Sequence, residues 1–446
     1  MKTVKRILCA SLVWVVAMSV CAQGTPLSEC IRIGVERNLL VRASRIDISK
    51  GETMISQSRA MLLPQINGTL QLTDYLKDPV QVSNSTLINM DFSDDPQWAR
   101  VRTMQYSSQA MLQLRMPIYN QSIYTAIDAA KTVKELHTLV YDKAVETLTV
   151  QIAKAYYSAQ AAKEQHLLLN EDVTRMTELA SIANAMLRQG VILETDYNRV
   201  SINITNLETM SAMYRMVYNQ QLNILRFLLD LDAQAEIDVE RMDSTLHSRP
   251  LQGLSINLPE QRVLDAQKLL TQKQIRQIRA GYLPSVGLFG QTGYMGYQEK
   301  FGDFFKKFDN RQFGMAAIGV QVSIPIFDAN EKRLKIRQYK YDADRIKTNR
   351  QLLDASLSKD YANTVLQLTQ NEQIYTTQSK NLQQAQRVYD LTTRRYKEGV
   401  ASMTELLQDD MRLINSQQEM VNAHLQYNLA LIDFLRLENN LNELKQ

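Results

Sequence analysis

Residues 104–120 read MQYSSQAMLQLRMPIYN, and the order of residue types in this stretch decides the fold. Tyr106, Ser108, Ala110, Leu112, Leu114 and Met116 alternate with Gln105, Ser107, Gln109, Met111, Gln113 and Arg115. A period of two puts the first set on one face of a β-strand and the second set on the other. The alternation stops at Pro117, and from there to Pro250 the chain has no further proline and a single glycine, Gly190. A stretch so free of breakers predicts a very long helical hairpin that turns at that glycine.

The same grammar recurs downstream. In residues 315–324, Ala316, Ile318, Val320, Val322 and Ile324 alternate with Met315, Ala317, Gly319, Gln321 and Ser323; after Pro325 no proline follows, and Gly399 is the one glycine. Residues 64–75 give Ile66, Leu70 and Leu72 against Asn67, Thr69, Gln71 and Thr73, while residues 284–297 are a Gly-rich version with Val286, Leu288 and Tyr294. The junctions match in order. Arg59 to Pro64 aligns with Arg279 to Pro284 at an offset of 220, Met116 to Asn120 with Ile324 to Asp328 at 208, and Gly190-Val191 with Gly399-Val400 at 209. In that last register Thr195-Asp196 falls on Thr404-Glu405. Such ordered coincidences predict an internal duplication: a first repeat at 23–230, a linker at 231–258, and a second repeat at 259–446, each with a helix, two strands and a helical hairpin.

Residues 119–188 and 328–397 are 70 residues each, or roughly 105 Å as helices, too long to be buried in one globule. They are expected to pack along one another as coiled coils. Leu353, Leu357, Tyr361, Val365, Leu368, Tyr375, Leu382 and Tyr389 advance in steps of three, four or seven, with Gln, Asn, Thr and Lys filling the gaps. One apolar seam and an uncharged polar remainder suit a helix with one dry side and one wet side.

Four strands of roughly 10–13 residues, apolar on one face and polar on the other, carry the pattern of a membrane β-barrel. A half-buried sheet in an exported domain gives the same alternation. Four strands cannot close a barrel, and an open edge in hydrocarbon leaves backbone groups unsatisfied, so a barrel here must be shared between two, three or four chains. Segments 77–103, with Asp91, Asp94, Asp95 and Pro96, and 298–312, with Phe304, Phe305, Lys306 and Lys307, are expected as the turns distal to the helices.

The first 22 residues supply the address. Lys2, Lys5 and Arg6 precede an apolar run from Ile7 to Val20, and Val20-Cys21-Ala22 has the character of a signal-peptidase site, so 1–22 read as a signal peptide of an exported protein. Cys21 offers lipidation as the rival reading. Cleavage after Ala22 would leave Cys30 as the one cysteine, with no intramolecular disulfide. The formal charge of +4 falls to +1 without Lys2, Lys5 and Arg6, which argues against a nucleic-acid partner, and no stretch beyond Val20 is apolar enough for a membrane-spanning helix. His137, His166, His247 and His424 are scattered, with no metal spacing, phosphate loop or nucleophile elbow, so no enzyme activity, cofactor or metal is expected.

On these residues the chain resembles the TolC family of outer membrane efflux proteins: Leu27-Ser28-Glu29-Cys30-Ile31 through Asn38, the Arg59 to Pro64 junction and its copy, the two strand exits at Pro117 and Pro325, and Tyr396-Lys397-Glu398-Gly399-Val400. The resemblance implies an α+β membrane protein, a homotrimer with a shared twelve-stranded transmembrane β-barrel and a long α-helical coiled-coil tunnel in the periplasm. It implies an exit duct in the outer membrane lipid for an inner-membrane pump, of RND, ABC or similar type, joined through a periplasmic adaptor, in efflux or type I secretion. An exported structural or adhesin-like coiled coil is the alternative. The resemblance further implies that the hairpin tips at Gly190, Val191 and Thr195 and at Gly399, Val400 and Thr404 dock the adaptor. Thr195 and Thr404 are expected as N-caps of the returning helices, with Asp196 and Glu405 in the first turn. An acidic ring at the entrance would fall on Glu405, with Gln408 where a second acid is expected and Asp409 at i+4 from Glu405 as its substitute.

Overall fold

The computed structural model describes residues 24–77, 80–84, 98–102, 104–242, 253–255, 257–298, 300–302 and 312–445. The signal peptide, Cys21, Asp91 to Pro96, Arg249-Pro250 and Phe304 to Lys307 lie outside the described residues. In chain order the elements are α1 (Leu27–Arg37), α2 (Leu39–Ala60), β1 (Gln65–Asp74), β2 (Val80–Asn84), β3 (Trp98–Arg102), β4 (Tyr106–Tyr119), α3 (Gln121–Arg188) and α4 (Glu194–Leu229). The second half adds α5 (Pro259–Ala280), β5 (Ser285–Gln298), β6 (Gln312–Ser323), α6 (Glu331–Lys397), α7 (Met403–Leu437) and a 3-10 turn at Leu441–Lys445.

The order helix, strands, long hairpin occurs twice along the chain. The copies agree in local detail: Leu62 and Leu63 N–H donate to the Arg59 and Ala60 carbonyls at 3.0 Å each, and Tyr282 and Leu283 N–H donate to Arg279 and Ala280 at 3.1 Å each. These turns end α2 and α5 immediately before Pro64 and Pro284, which cannot continue a helix. α3 and α6 have 68 and 67 residues, close to the lengths their breaker-free sequences dictate. One difference is the hairpin β2–β3, paired from Val80↔Arg102 to Asn84↔Trp98, within the segment predicted as a turn. Five-residue strands are too short for their alternation to stand out from loop sequence.

By contacts the chain divides into two compact units that do not follow the repeats; each draws on both. One unit comprises 49–135 and 266–346 and contains a four-stranded antiparallel sheet in the order β1-β4-β5-β6. The register pairs Ile66 with Leu114, Leu112 with Thr292, Leu114 with Gly290, and Leu288 with Val320. One face therefore carries Ile66, Leu70, Leu72, Leu112, Leu288, Ile318, Val320 and Val322; the other carries Asn67, Thr69, Gln71, Gln113, Gln291 and Gln321. The apolar face is uncovered: Leu70 is 76% exposed and Ile318 77%. β1 and β6 leave both edges of this sheet unpaired among the described residues.

The other unit comprises residues up to 48, 136–265 and 347–446 and is helical. Its first core joins Cys30, Ile31, Val41, Ile152, Tyr156, Leu225 and Leu229 with Val239 of the linker. The linker is held by a bridge from Val239 to Thr25, by Glu240 N–H donating to Tyr156 Oη at 3.3 Å, and by the Lys163–Asp238 ion pair at 2.7 Å. The predicted seam of α6 is buried where expected, with Leu357 against Leu437, Leu368 against Tyr427 and Phe434, and Tyr389 against the tip core. Among the described residues no helix is long and apolar enough to cross a membrane.

Candidate functional site

Both hairpin tips belong to the helical unit and are built alike. Gly190 and Gly399 have φ of 72° and 77°, the left-handed region that glycine enters without strain. Gly190 N–H donates to Leu187 O at 2.9 Å and Val191 N–H to Met186 O at 2.9 Å; Gly399 N–H donates to Tyr396 O at 2.9 Å and Val400 N–H to Arg395 O at 2.8 Å. This pair of bonds is the Schellman closure, which satisfies the carbonyls that a helix end leaves free. Nothing lies within 4 Å of the point where a Cβ would sit on either glycine, so backbone angle rather than crowding selects the residue.

Both returning helices begin two residues earlier than Thr195 and Thr404 as caps would place them. α4 starts at Glu194 behind Leu193, which makes no side-chain cap, and α7 starts at Met403 behind Ser402, whose hydroxyl accepts from Glu405 N–H at 3.1 Å. Thr195 and Thr404 are therefore second helical residues and not N-caps. The pattern Ser402-Met403-Thr404-Glu405 is a capping-box sequence that fixes the true start, and the first repeat has Leu193 in place of the serine. Thr404 instead accepts from Arg199 Nη1 at 2.8 Å, so a residue of α4 reaches the start of α7. Val191 and Val400 are each 66% exposed, and Leu193, which the sequence did not single out, is exposed beside them.

Behind the tips, Met176, Ala183, Val200, Tyr389, Tyr396, Met403, Leu406 and Leu413 form one apolar core that locks the two hairpins together. Glu405, Gln408 and Asp409 lie on the α7 turn above it and differ in environment. Glu405 is half-exposed and paired with Arg395 at 3.2 Å; Gln408 is exposed. Asp409 is buried, accepting from Thr392 Oγ1 at 2.7 Å and from Arg412 Nη1 at 2.8 Å. Glu405 and Asp409 thus do not present two free carboxylates on one face of the chain: the second is turned into the α6–α7 seam.

One turn further in is a group that sequence reading missed. Asp172 and Asp410, both 1% exposed at the side chain, share a single cation, Arg175, at 2.7 and 3.0 Å. The Arg175 guanidinium also lies over the Tyr389 ring, 5.0 Å from its centroid. Neither oxygen of Asp172 has a hydrogen-bond partner among the described residues. Burial pushes the Asp172 carboxyl up to about 6, Arg175 opposing and the Asp410 charge adding to the rise. Burial likewise raises Asp410, against the pull of Arg175. Among the described residues no group of histidine, cysteine and carboxylate side chains is arranged to hold a metal ion.

A sheet with one bare apolar face, joined in sequence to long helical hairpins with matched tips, defines the architecture of an outer membrane channel subunit. The family model described as "Outer membrane efflux protein" matches residues 34–230 and 256–439, and the chain belongs to that family. It is 21% identical over 361 residues to the outer membrane protein TolC of Escherichia coli, covering 76% of this chain and 70% of that one. It is 22% identical over 289 residues to the probable efflux pump outer membrane protein TtgC of Pseudomonas putida, covering 62% of this chain and 57% of that one. Among solved structures, the Campylobacter jejuni CmeC channel covers 93% of this chain, and is itself covered to 85%, with a TM-score of 0.72 at 16% identity. The open-state Neisseria gonorrhoeae MtrE channel covers 95% of the chain, and is covered to 91%, with a TM-score of 0.72 at 19% identity. These likenesses place the fold, strands and helical hairpins alike.

Proposed function

We propose that the protein is an outer membrane exit duct of a tripartite efflux or type I secretion system, assembled as a homotrimer and joined to an inner-membrane pump through a periplasmic adaptor. The observation that carries this reading is the four-stranded sheet with its exposed apolar face and two edges unpaired among the described residues. Such a sheet is unstable in water and unsealed in lipid until copies join edge to edge. Three copies give twelve strands around a lumen lined by the polar face. The family and the efflux names of the relatives support the direction of traffic.

The tips dock the adaptor in this reading, through Val191, Leu193 and Val400 as the exposed apolar contacts, with Gly190 and Gly399 setting the turns and Thr195 and Thr404 on the first helical turns. Glu405 and Gln408 face the entrance, and Asp409 positions that turn by holding α7 to Thr392 of α6. The test is transport in a strain lacking the chain, complemented with the parent or with Val191→Arg and Val400→Arg. The parent restores efflux or secretion, and the tip variants fail to do so at normal oligomer levels. Normal transport by tip variants with normal oligomer levels removes the docking assignment. Failure of the parent to restore any export removes the duct reading.

A further inference from the structure

The polar face of the sheet carries one charged side chain. By register the residues on that face are Gln65, Asn67, Thr69, Gln71 and Thr73 of β1, the odd-numbered residues of β4 from Ser107, those of β5 from Gly287 to Tyr297, and those of β6 from Phe313 to Gln321. All are uncharged except Arg115. It pairs across strands with Gln65 and Phe289, so it stands at the end of the sheet nearest the strand exits. Its neighbours leave the charge uncompensated. The guanidinium's hydrogen bond is to Gln113 Oε1, at 3.5 Å, and among the described residues no carboxylate pairs with it. A cavity of about 390 Å³ opens at this level, lined by Gln65, Gln113, Arg115, Phe289, Gln291 and Gln321 among others, and no acidic residue contributes to its wall.

A guanidinium is a permanent cation, and with a wall of amide, glycine and apolar residues and no carboxylate pairing with it among the described residues, its charge is screened by salt. In the trimeric duct proposed above, on which this step rests, symmetry places three copies of Arg115 at one height around the lumen. We propose that Arg115 is a specificity-determining residue that makes the barrel lumen favour anionic solutes over cationic ones. An anionic amphiphile is the cargo chemistry that the barrel end fits, its acid group meeting Arg115 and its apolar part the Phe289 ring.

The test is the reversal potential of the purified oligomer in planar bilayers under a tenfold KCl gradient, from 10 to 100 mM. Arg115→Gln is expected to lower the anion-to-cation permeability ratio by roughly two- to three-fold, with the difference fading toward 1 M salt as the screening length contracts from about 30 Å to about 3 Å. Arg115→Lys retains the parent ratio, and Arg115→Glu lowers it further than the glutamine. If Arg115→Gln yields no oligomer, Gln113→Glu adds the opposing charge beside an intact Arg115 and is expected to lower the ratio in the same way. Unchanged ratios in Arg115→Glu and Gln113→Glu at low salt overturn the assignment while leaving the duct intact. A parent that inserts as an oligomer yet forms no channels overturns the duct reading, and this inference with it.

Discussion

Asp172→Asn should stabilise the hairpin behind the tip, an unusual direction for a substitution at a buried residue. Two carboxylates, each 1% exposed, share Arg175, so one negative charge is left over inside a helical seam. Burial holds the Asp172 carboxyl near 6 rather than the ordinary 3.8. A carboxyl raised in the folded state makes folding bind a proton. The cost of keeping Asp172 ionised is therefore fully present above pH 6 and is relieved as pH falls through 6 toward 4. At ~1.36 kcal/mol per pKa unit the penalty at pH 8 is about 3 kcal/mol, or on the order of 100-fold in an opening equilibrium. Asparagine mimics the protonated acid, leaving Asp410 and Arg175 as a balanced pair. Hydrogen exchange of the amides at 169–180 in the detergent-solubilised oligomer reads this locally, comparing parent and variant at each pH so that the intrinsic rate cancels. The variant should exchange up to about 100-fold more slowly at pH 8, and the gap should shrink to a few-fold near pH 4. Faster exchange in Asp172→Asn at pH 8, or a gap that does not change with pH, refutes the reasoning.

Strand register is tested by Leu112→Arg and Val320→Arg, which put a cation on the apolar face at about 2–4 kcal/mol and should lower oligomer yield, while Gln113→Arg and Gln321→Arg face water and should not. Equal yields for all four would contradict the face assignment. Ser402→Ala should cost about 1 kcal/mol in the stability of α7 by removing the cap on Glu405 N–H, whereas Thr404→Ser, which keeps the hydroxyl that accepts from Arg199, should be near neutral by thermal denaturation. Arg175→Leu strands both carboxylates and should cost roughly 3–5 kcal/mol at pH 7, with partial recovery at low pH, measured by the same exchange experiment. Neutralising Glu405 by Glu405→Gln should shift single-channel cation preference, while Asp409→Asn should chiefly loosen the α6–α7 contact to Thr392.

The elements that were legible in the sequence are those with long, uniform patterns. Sixty-eight residues without proline or glycine leave the backbone little choice but helix, and the alternation from Tyr106 to Met116 fixes both a strand and its two faces. Gly190 and Gly399 were readable because an isolated glycine between helices has few other uses, and their positive φ follows. Helix starts were less readable. A threonine looks like a cap wherever it stands, but Ser402 with Glu405 three residues on is the stronger signal, and it lies two residues before Thr404. The Asp172–Arg175–Asp410 group was invisible for a different reason. Asp172 and Arg175 at i, i+3 look like an ordinary solvated helix surface, and their partners come from far along the chain, Tyr389 of α6 and Asp410 of α7, the latter 235 residues from Arg175. Asp409 failed as a partner of Glu405 for the same reason: helical spacing places two residues on one side of a helix, but the neighbouring helix decides which of them meets water.

The central claim is that the four strands of one chain are a fraction of a closed barrel. Native mass measurement of the complex extracted in detergent from the outer membrane fraction tests it most directly, before and after heating. Three copies of the mature chain that fall to one on heating are the predicted result. A monodisperse monomer, recovered from the soluble periplasm without detergent, would contradict it.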